Sequence, residues 1–198
     1  MTEILLPSSP LSSDTASPRP TAKFMMAHPA HFMAMGFGSG LSPFAPGTAG
    51  TLWGWLSFLA LQRWLTHSSI GWLIAASIPL GWWACTVTAR NMRVLDPGSI
   101  VWDEIVAFWA VLWLINPAGL WGQTIAFALF RYFDAAKPGP VGWADRLSHG
   151  AQPAAIKPVT NPATNRHAWT IAGFGIMFDD LVAAGCTLLV IAVWRFFA

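Results

Sequence analysis

Residues 70–89, IGWLIAASIPLGWWACTVTA, run for twenty positions without a charged side chain. A helix needs about 20 predominantly apolar residues to cross the hydrocarbon core of a bilayer. In lipid, every backbone polar group must also be satisfied inside the protein, which leaves helices or closed barrels as the spanning forms. This segment therefore restricts the chain to helical membrane architectures, with Pro79 accommodated by neighbouring helices. Composition agrees. Of the 198 residues, 55% are hydrophobic and only 10% charged, against about 25% charged in ordinary soluble domains. Thirteen Trp and thirteen Phe suit the aromatic belts of membrane–water boundaries.

Further apolar stretches cover residues 51–65, 105–130 and 181–194. The second is interrupted by Asn116-Pro117-Ala118-Gly119, a strong turn signal, which predicts a helical hairpin. Residues 24–50 are nearly free of charge but rich in Gly, Pro and Ser, so a plain spanning helix is excluded. They read as a short helix over 29–35 and a loop over 36–50 folded into the protein. The fold class expected is all-α: a multi-helix integral membrane bundle with a Gly-rich re-entrant or interfacial N-terminal loop. Residues 1–23, polar and rich in Ser and Pro, read as a disordered tail rather than a signal peptide, since Glu3 precedes an apolar run of only three residues. Residues 24–198 form the single domain. With the N-terminus in the cytoplasm, every Lys and Arg except Arg63 and Arg195 falls on the inner side, as the positive-inside rule requires.

A net charge of +2, with no Lys/Arg run interleaved with aromatics, argues against nucleic acid as a partner. Cys85 and Cys186 lie in apolar stretches without metal spacing and read as small core residues. The sequence carries no signal for oligomeric state.

Six of the nine carboxylates sit in three short blocks beside apolar segments: Asp103-Glu104, Asp134 with Asp145, and Asp179-Asp180. Ionisable groups against a membrane helix are costly and mark function by default. Such a set suits a hard cation, Mg²⁺, which takes carboxylate oxygens and keeps open positions for phosphate oxygens. Asp103, Glu104, Asp134, Asp179 and Asp180 are the candidate ligands. For Asp103 and Asp179, helix capping is the competing role. Arg131, Asp134 and Lys137 are spaced three apart and share a face on a continuing helix, which Pro138 would end. Arg131 and Arg146 also suit inner-leaflet anchors. In the Gly-rich segment, glycines can turn backbone N–H groups inward as an anion nest, with hydroxyls from Ser39, Ser42, Thr48 and Thr51. The candidate phosphate-binding residues are Gly38, Ser39, Gly40, Ser42, Gly47, Thr48 and Arg146. A tight re-entrant turn would explain the glycines equally.

The strings MGFGSGLSPFAPGTAGTLWG, DPGSIVWDEIVAFW, FRYFDAAKPGPVGWADR and FGIMFDD resemble, in order, the motifs of the phosphatidylglycerophosphatase A family. The resemblance covers roughly residues 29–184. It implies an all-helical, Mg²⁺-dependent enzyme of the bacterial inner membrane, multi-pass and with its active site on the cytoplasmic side. The reaction implied is hydrolysis of phosphatidylglycerol phosphate to phosphatidylglycerol and phosphate, in phospholipid biosynthesis. It places the family's acids at Asp103, Glu104, Asp134, Asp145, Asp179 and Asp180, and basic positions at Lys137, Arg146 and His149. The chain departs from the family in one place: residues 151–172 separate His149-Gly150 from Gly173 and read as a surface loop insertion. Two other classes fit intramembrane acids: a small multi-helix transporter and an inert membrane subunit.

Overall fold

The computed structural model describes residues 19–150 and 162–197, with side chains over 19–146 and 169–197. Among the described residues, eight α-helices follow in order: α1 (Ala22–Met26), α2 (Pro29–Ala34), α3 (Pro46–Leu61), α4 (His67–Met92), α5 (Trp102–Ile115), α6 (Leu120–Ala136), α7 (Pro140–Gly150) and α8 (Pro162–Phe197). A 3₁₀ turn over Gly36–Leu41 separates α2 from α3. There is no strand among the described residues, so the all-α reading holds.

α5 is the axis of the molecule. Its sequence, WDEIVAFWAVLWLI, is apolar on every side after the first turn, the pattern of a helix packed all round. Residues Ile105–Trp109, Val111, Leu112 and Ile115 are buried accordingly. At fourteen residues it is about 21 Å long, short of the ~30 Å hydrocarbon core. α3, α4, α6 and α8 pack around it. α3 approaches through Gly47, Gly50 and Gly54, whose spacing of three and four keeps them on one face. A Cβ at Gly54 would lie 3.2 Å from the Ile105 Cα, so only a glycine surface lets the two backbones come this close. Tryptophan N–H groups tie the bundle together. Trp109 donates to the Gly54 carbonyl at 2.8 Å, Trp113 to the His67 carbonyl at 2.9 Å, and Trp55 to Gln123 Oε1 at 2.7 Å.

Among the described residues, two helices are long and apolar enough to cross a bilayer: His67–Met92, and the Trp169–Phe197 stretch of α8. α4 runs through Pro79 as one helix. The turn at Asn116–Gly119 separates α5 from α6 as the sequence predicts.

Three boundaries differ from the sequence reading. α1 begins inside the stretch expected as a tail, because Thr21 Oγ1 accepts from the Phe24 N–H; residues 1–18 lie outside the described residues. The loop expected over 36–50 ends at Ala45, and Pro46 opens α3 in its first turn, where a missing N–H costs nothing. The insertion expected as a loop over 151–172 is helical from Pro162, which again starts a helix; residues 151–161 lie outside the described residues.

Candidate active site

The first turn of α5 buries two adjacent acids, Asp103 at 8% and Glu104 at 9% exposure. A helix N-terminus favours negative charge, but two carboxylates need more than a dipole. α6 supplies part of it. Arg131 donates to Glu104 Oε1 at 3.1 Å, to Thr51 Oγ1 of α3 at 3.3 Å, and to Asp134 one turn further on. The shared helix face predicted for Arg131 and Asp134 is therefore an ion pair. Lys137 leaves that face. It caps α6 in the left-handed conformation, with φ of 43°, and its ammonium reaches Asp145 on α7 and Asp179 on α8, the latter at 2.7 Å. Burial pushes the Lys137 ammonium down, but its hydrogen bonds to Asp145 and Asp179 outweigh burial and hold it above the ordinary lysine range.

Asp180 is buried beside this pair. One carboxylate oxygen each from Glu104, Asp134 and Asp180 all lie within 4.8 Å of one another. Unit charges this close repel by about 3 kcal/mol per pair at an effective dielectric near 20. Asp103 Oδ1 and Glu104 Oε2 are buried without a hydrogen-bond partner, a costly state for a carboxylate oxygen. Both facts fit a site built around a cation. The acids frame a cavity of about 140 Å³ lined by Asp96, Asp103, Glu104, Asp134, Asp179 and Asp180 with Lys137. Of the five proposed metal ligands, Glu104, Asp134 and Asp180 converge, Asp103 lines the same cavity, and Asp179 faces Lys137. Asp145 stands behind Lys137.

Asp96 is the residue sequence reading passed over. It opens the DPGSIVWDE string but lies seven residues before Asp103 across an irregular segment, where no periodicity connects them. It comes to the cavity because the loop after α4 folds back onto the first turn of α5.

The candidate phosphate-binding residues surround the acid cavity rather than line it. Gly38, Ser39, Gly47, Thr48 and Arg146 are not on the wall of the acid cavity. The Ser39 hydroxyl donates to the Gly36 carbonyl at 2.9 Å, and the Arg146 Nε–H to the Gly142 carbonyl at 2.9 Å. Ser42 spends its hydroxyl on Phe44, and with Gly40 it lines a second cavity next door. Gly47 serves the site by its size. A Cβ there would lie 2.1 Å from Glu104 Oε1, so its hydrogen makes room for the carboxylate. His149 lies on α7, with its side chain outside the described residues.

The carboxylates gather at one end of the bundle, and nothing supports the transporter alternative. The family model for phosphatidylglycerophosphatase A matches residues 32–156. Phosphatidylglycerophosphatase A of Escherichia coli K12 is 37% identical over 163 residues, covering 82% of this chain and 81% of the relative. Phosphatidylglycerophosphatase A of Haemophilus influenzae Rd is 36% identical over 179 residues, covering 87% and 92%. No solved structure matches the chain. Fold, motif order and these relatives agree, and the chain belongs to the phosphatidylglycerophosphatase A family of lipid phosphatases.

Proposed function

We propose that the chain hydrolyses the terminal phosphate monoester of phosphatidylglycerol phosphate, releasing inorganic phosphate and leaving phosphatidylglycerol, as a step of phospholipid biosynthesis. The relatives carry that activity in their names. The observation that carries it here is the convergence of Glu104, Asp134 and Asp180 beside Lys137 in a single cavity. The protein sits in the bacterial inner membrane as a multi-pass bundle. The acid cavity faces the cytoplasm, the side where α4 ends with Arg90 and Arg93 and α6 is capped by Lys137.

Mg²⁺ is the cation we assign, held by Glu104, Asp134 and Asp180, with Asp103 offering its unpartnered oxygen. When bound, such an ion polarises a phosphoryl oxygen and lowers the pKa of a coordinated water. The protein's own groups do the positioning on which phosphoryl transfer depends. Arg131 fixes Glu104 and Asp134 relative to each other. Lys137, itself oriented by Asp145 and Asp179, presents its charge to the phosphate.

The test is phosphate release by the purified protein in mixed micelles of phosphatidylglycerol phosphate, with Mg²⁺, after chelation, and after Mg²⁺ is restored. Release that vanishes on chelation and returns with Mg²⁺ is expected. Release that continues undiminished in chelator would remove the metal from the proposal, and none under any condition would remove the activity.

A further inference from the structure

The acid cavity has a larger neighbour. A cavity of about 330 Å³ lies against it, and Asp96 and Gly98 line both. The larger cavity is also lined by Gly40 and Ser42 of the Gly-rich segment and by Arg19 at the start of the described chain. Gly40 is packed so tightly that a Cβ would lie 2.1 Å from the Ser99 carbonyl oxygen. Gly98, on the shared wall, has open space where its Cβ would be.

The substrate proposed above has three polar groups in sequence along its headgroup. The terminal phosphate monoester comes first, the hydroxyl on the middle glycerol carbon next, and the phosphodiester that joins the lipid last. The two cavities offer a matching set: Lys137 lines the acid cavity alone, Asp96 lines both, and Arg19 lines the larger cavity alone. We propose that the 330 Å³ cavity is the headgroup subsite, in which Asp96 accepts the middle hydroxyl and Arg19 pairs with the phosphodiester. The inference rests on the proposed phosphatase reading and adds to it the basis of selectivity.

The chemistry suits each position. An ionised carboxylate is an acceptor with several lone-pair sites, so Asp96 can take a hydroxyl proton donor in addition to the interactions it already makes. A guanidinium can hold two phosphate oxygens at once in its planar fork. The arrangement also explains why Gly40 and Ser42 belong to the site without touching the acids: they shape the room for the glycerol. A lipid whose single phosphate is a monoester on the diacylglycerol itself, such as phosphatidic acid, has neither the middle hydroxyl nor the diester. It would leave Asp96 and Arg19 without a ligand.

The experiment compares kcat/KM for phosphatidylglycerol phosphate and for phosphatidic acid in the same micelles with Mg²⁺. The wild-type protein should favour the former. Arg19→Gln should lower that preference about tenfold, mainly through KM, as expected for one charge-assisted contact at a solvent-accessible rim. Arg19→Lys, which keeps the charge but not the fork, should restore part of it. Asp96→Asn should lower the preference as well. A wild-type enzyme without preference, or an Arg19→Gln enzyme whose preference is unchanged, overturns the subsite while leaving the phosphatase reading in place. A wild-type protein that hydrolyses neither lipid overturns the phosphatase reading itself.

Discussion

The two ends of α5 are charged very differently. At its N-terminal end, Asp103 and Glu104 are buried among four further carboxylates, Lys137 and Arg131. At its C-terminal end, Ile115 borders an apolar groove of about 480 Å³, where Gly122, Val190 and Trp194 are joined by a single charge, Arg195. Arg195 donates to the Ile115 carbonyl at 3.4 Å and sits beside exposed Trp194, as an interfacial anchor does. Charge is expensive in an apolar setting unless other charges answer it. One end of the helix carries a network in which cations hold anions in fixed places. The other carries only what is needed to stay at a membrane boundary. The contrast fits the proposed function, with chemistry at the first end and anchorage at the second.

Several measurements would sharpen or break this contrast. The largest effect is expected for Glu104→Gln and Asp180→Asn. Either should cut phosphate release by more than about 100-fold, beyond what loss of a supporting residue around a metal ligand usually costs. Because each also removes one of several crowded negative charges, the Mg²⁺-free variants should melt at or above the wild-type temperature. A drop in melting temperature alongside the lost activity would mean that these acids hold the fold together. Gly47→Ala comes next. Its methyl would displace the end of the Glu104 side chain, so kcat should fall about tenfold while stability changes by less than about 1 kcal/mol, Ala being the better helix former. Unchanged activity would show that the carboxylate does not depend on that gap.

A smaller effect tests the cation. The Lys137 ammonium is held above its ordinary range, with burial opposing and Asp145 and Asp179 prevailing. A raised folded-state value means that its ion pairs contribute fully below the unfolded lysine value of about 10.4 and fade only as pH climbs through the folded one. Lys137→Met should therefore be destabilised by an amount on the order of 1 kcal/mol that stays constant from about pH 7 to pH 9 and shrinks above about pH 10. A gap that closes already near neutrality would contradict the pairing. The smallest change is expected at the opposite end, where Arg195→Gln should alter activity by less than about twofold and stability by no more than about 0.5 kcal/mol. A large loss of activity there would dissolve the distinction between the two ends.

Local chemistry made much of this legible in the sequence. The Asn116-Pro117-Ala118-Gly119 turn, the end of α6 before Pro138 and the short helix from Pro29 all follow from residues that act on their own backbone. The three acid blocks stood out because charge beside apolar sequence is rare. What stayed hidden depends on tertiary approach. Nothing in the string GTAG announces that Gly47 and Gly50 exist to clear space for a side chain some fifty residues onward. Their composition suggested an anion nest, and the structure adds that α3 packs closely against α5 through them. Asp96 was missed for a similar reason, since a loop delivers it and loops have no period to read. The helical start at Pro162 was obscured by the Pro, Ala, Asn and Thr of the stretch before it.

Lys137 ends α6 in a backbone conformation that glycine adopts freely and other residues adopt at a cost of roughly 1–2 kcal/mol. Its neighbour Gly139 shows that glycine was within reach of this turn. A chain selected only to fold would place glycine at the cap as well. Lysine at that point trades backbone comfort for the placement of one amine, so replacing it with glycine would give an easier turn and a poorer enzyme.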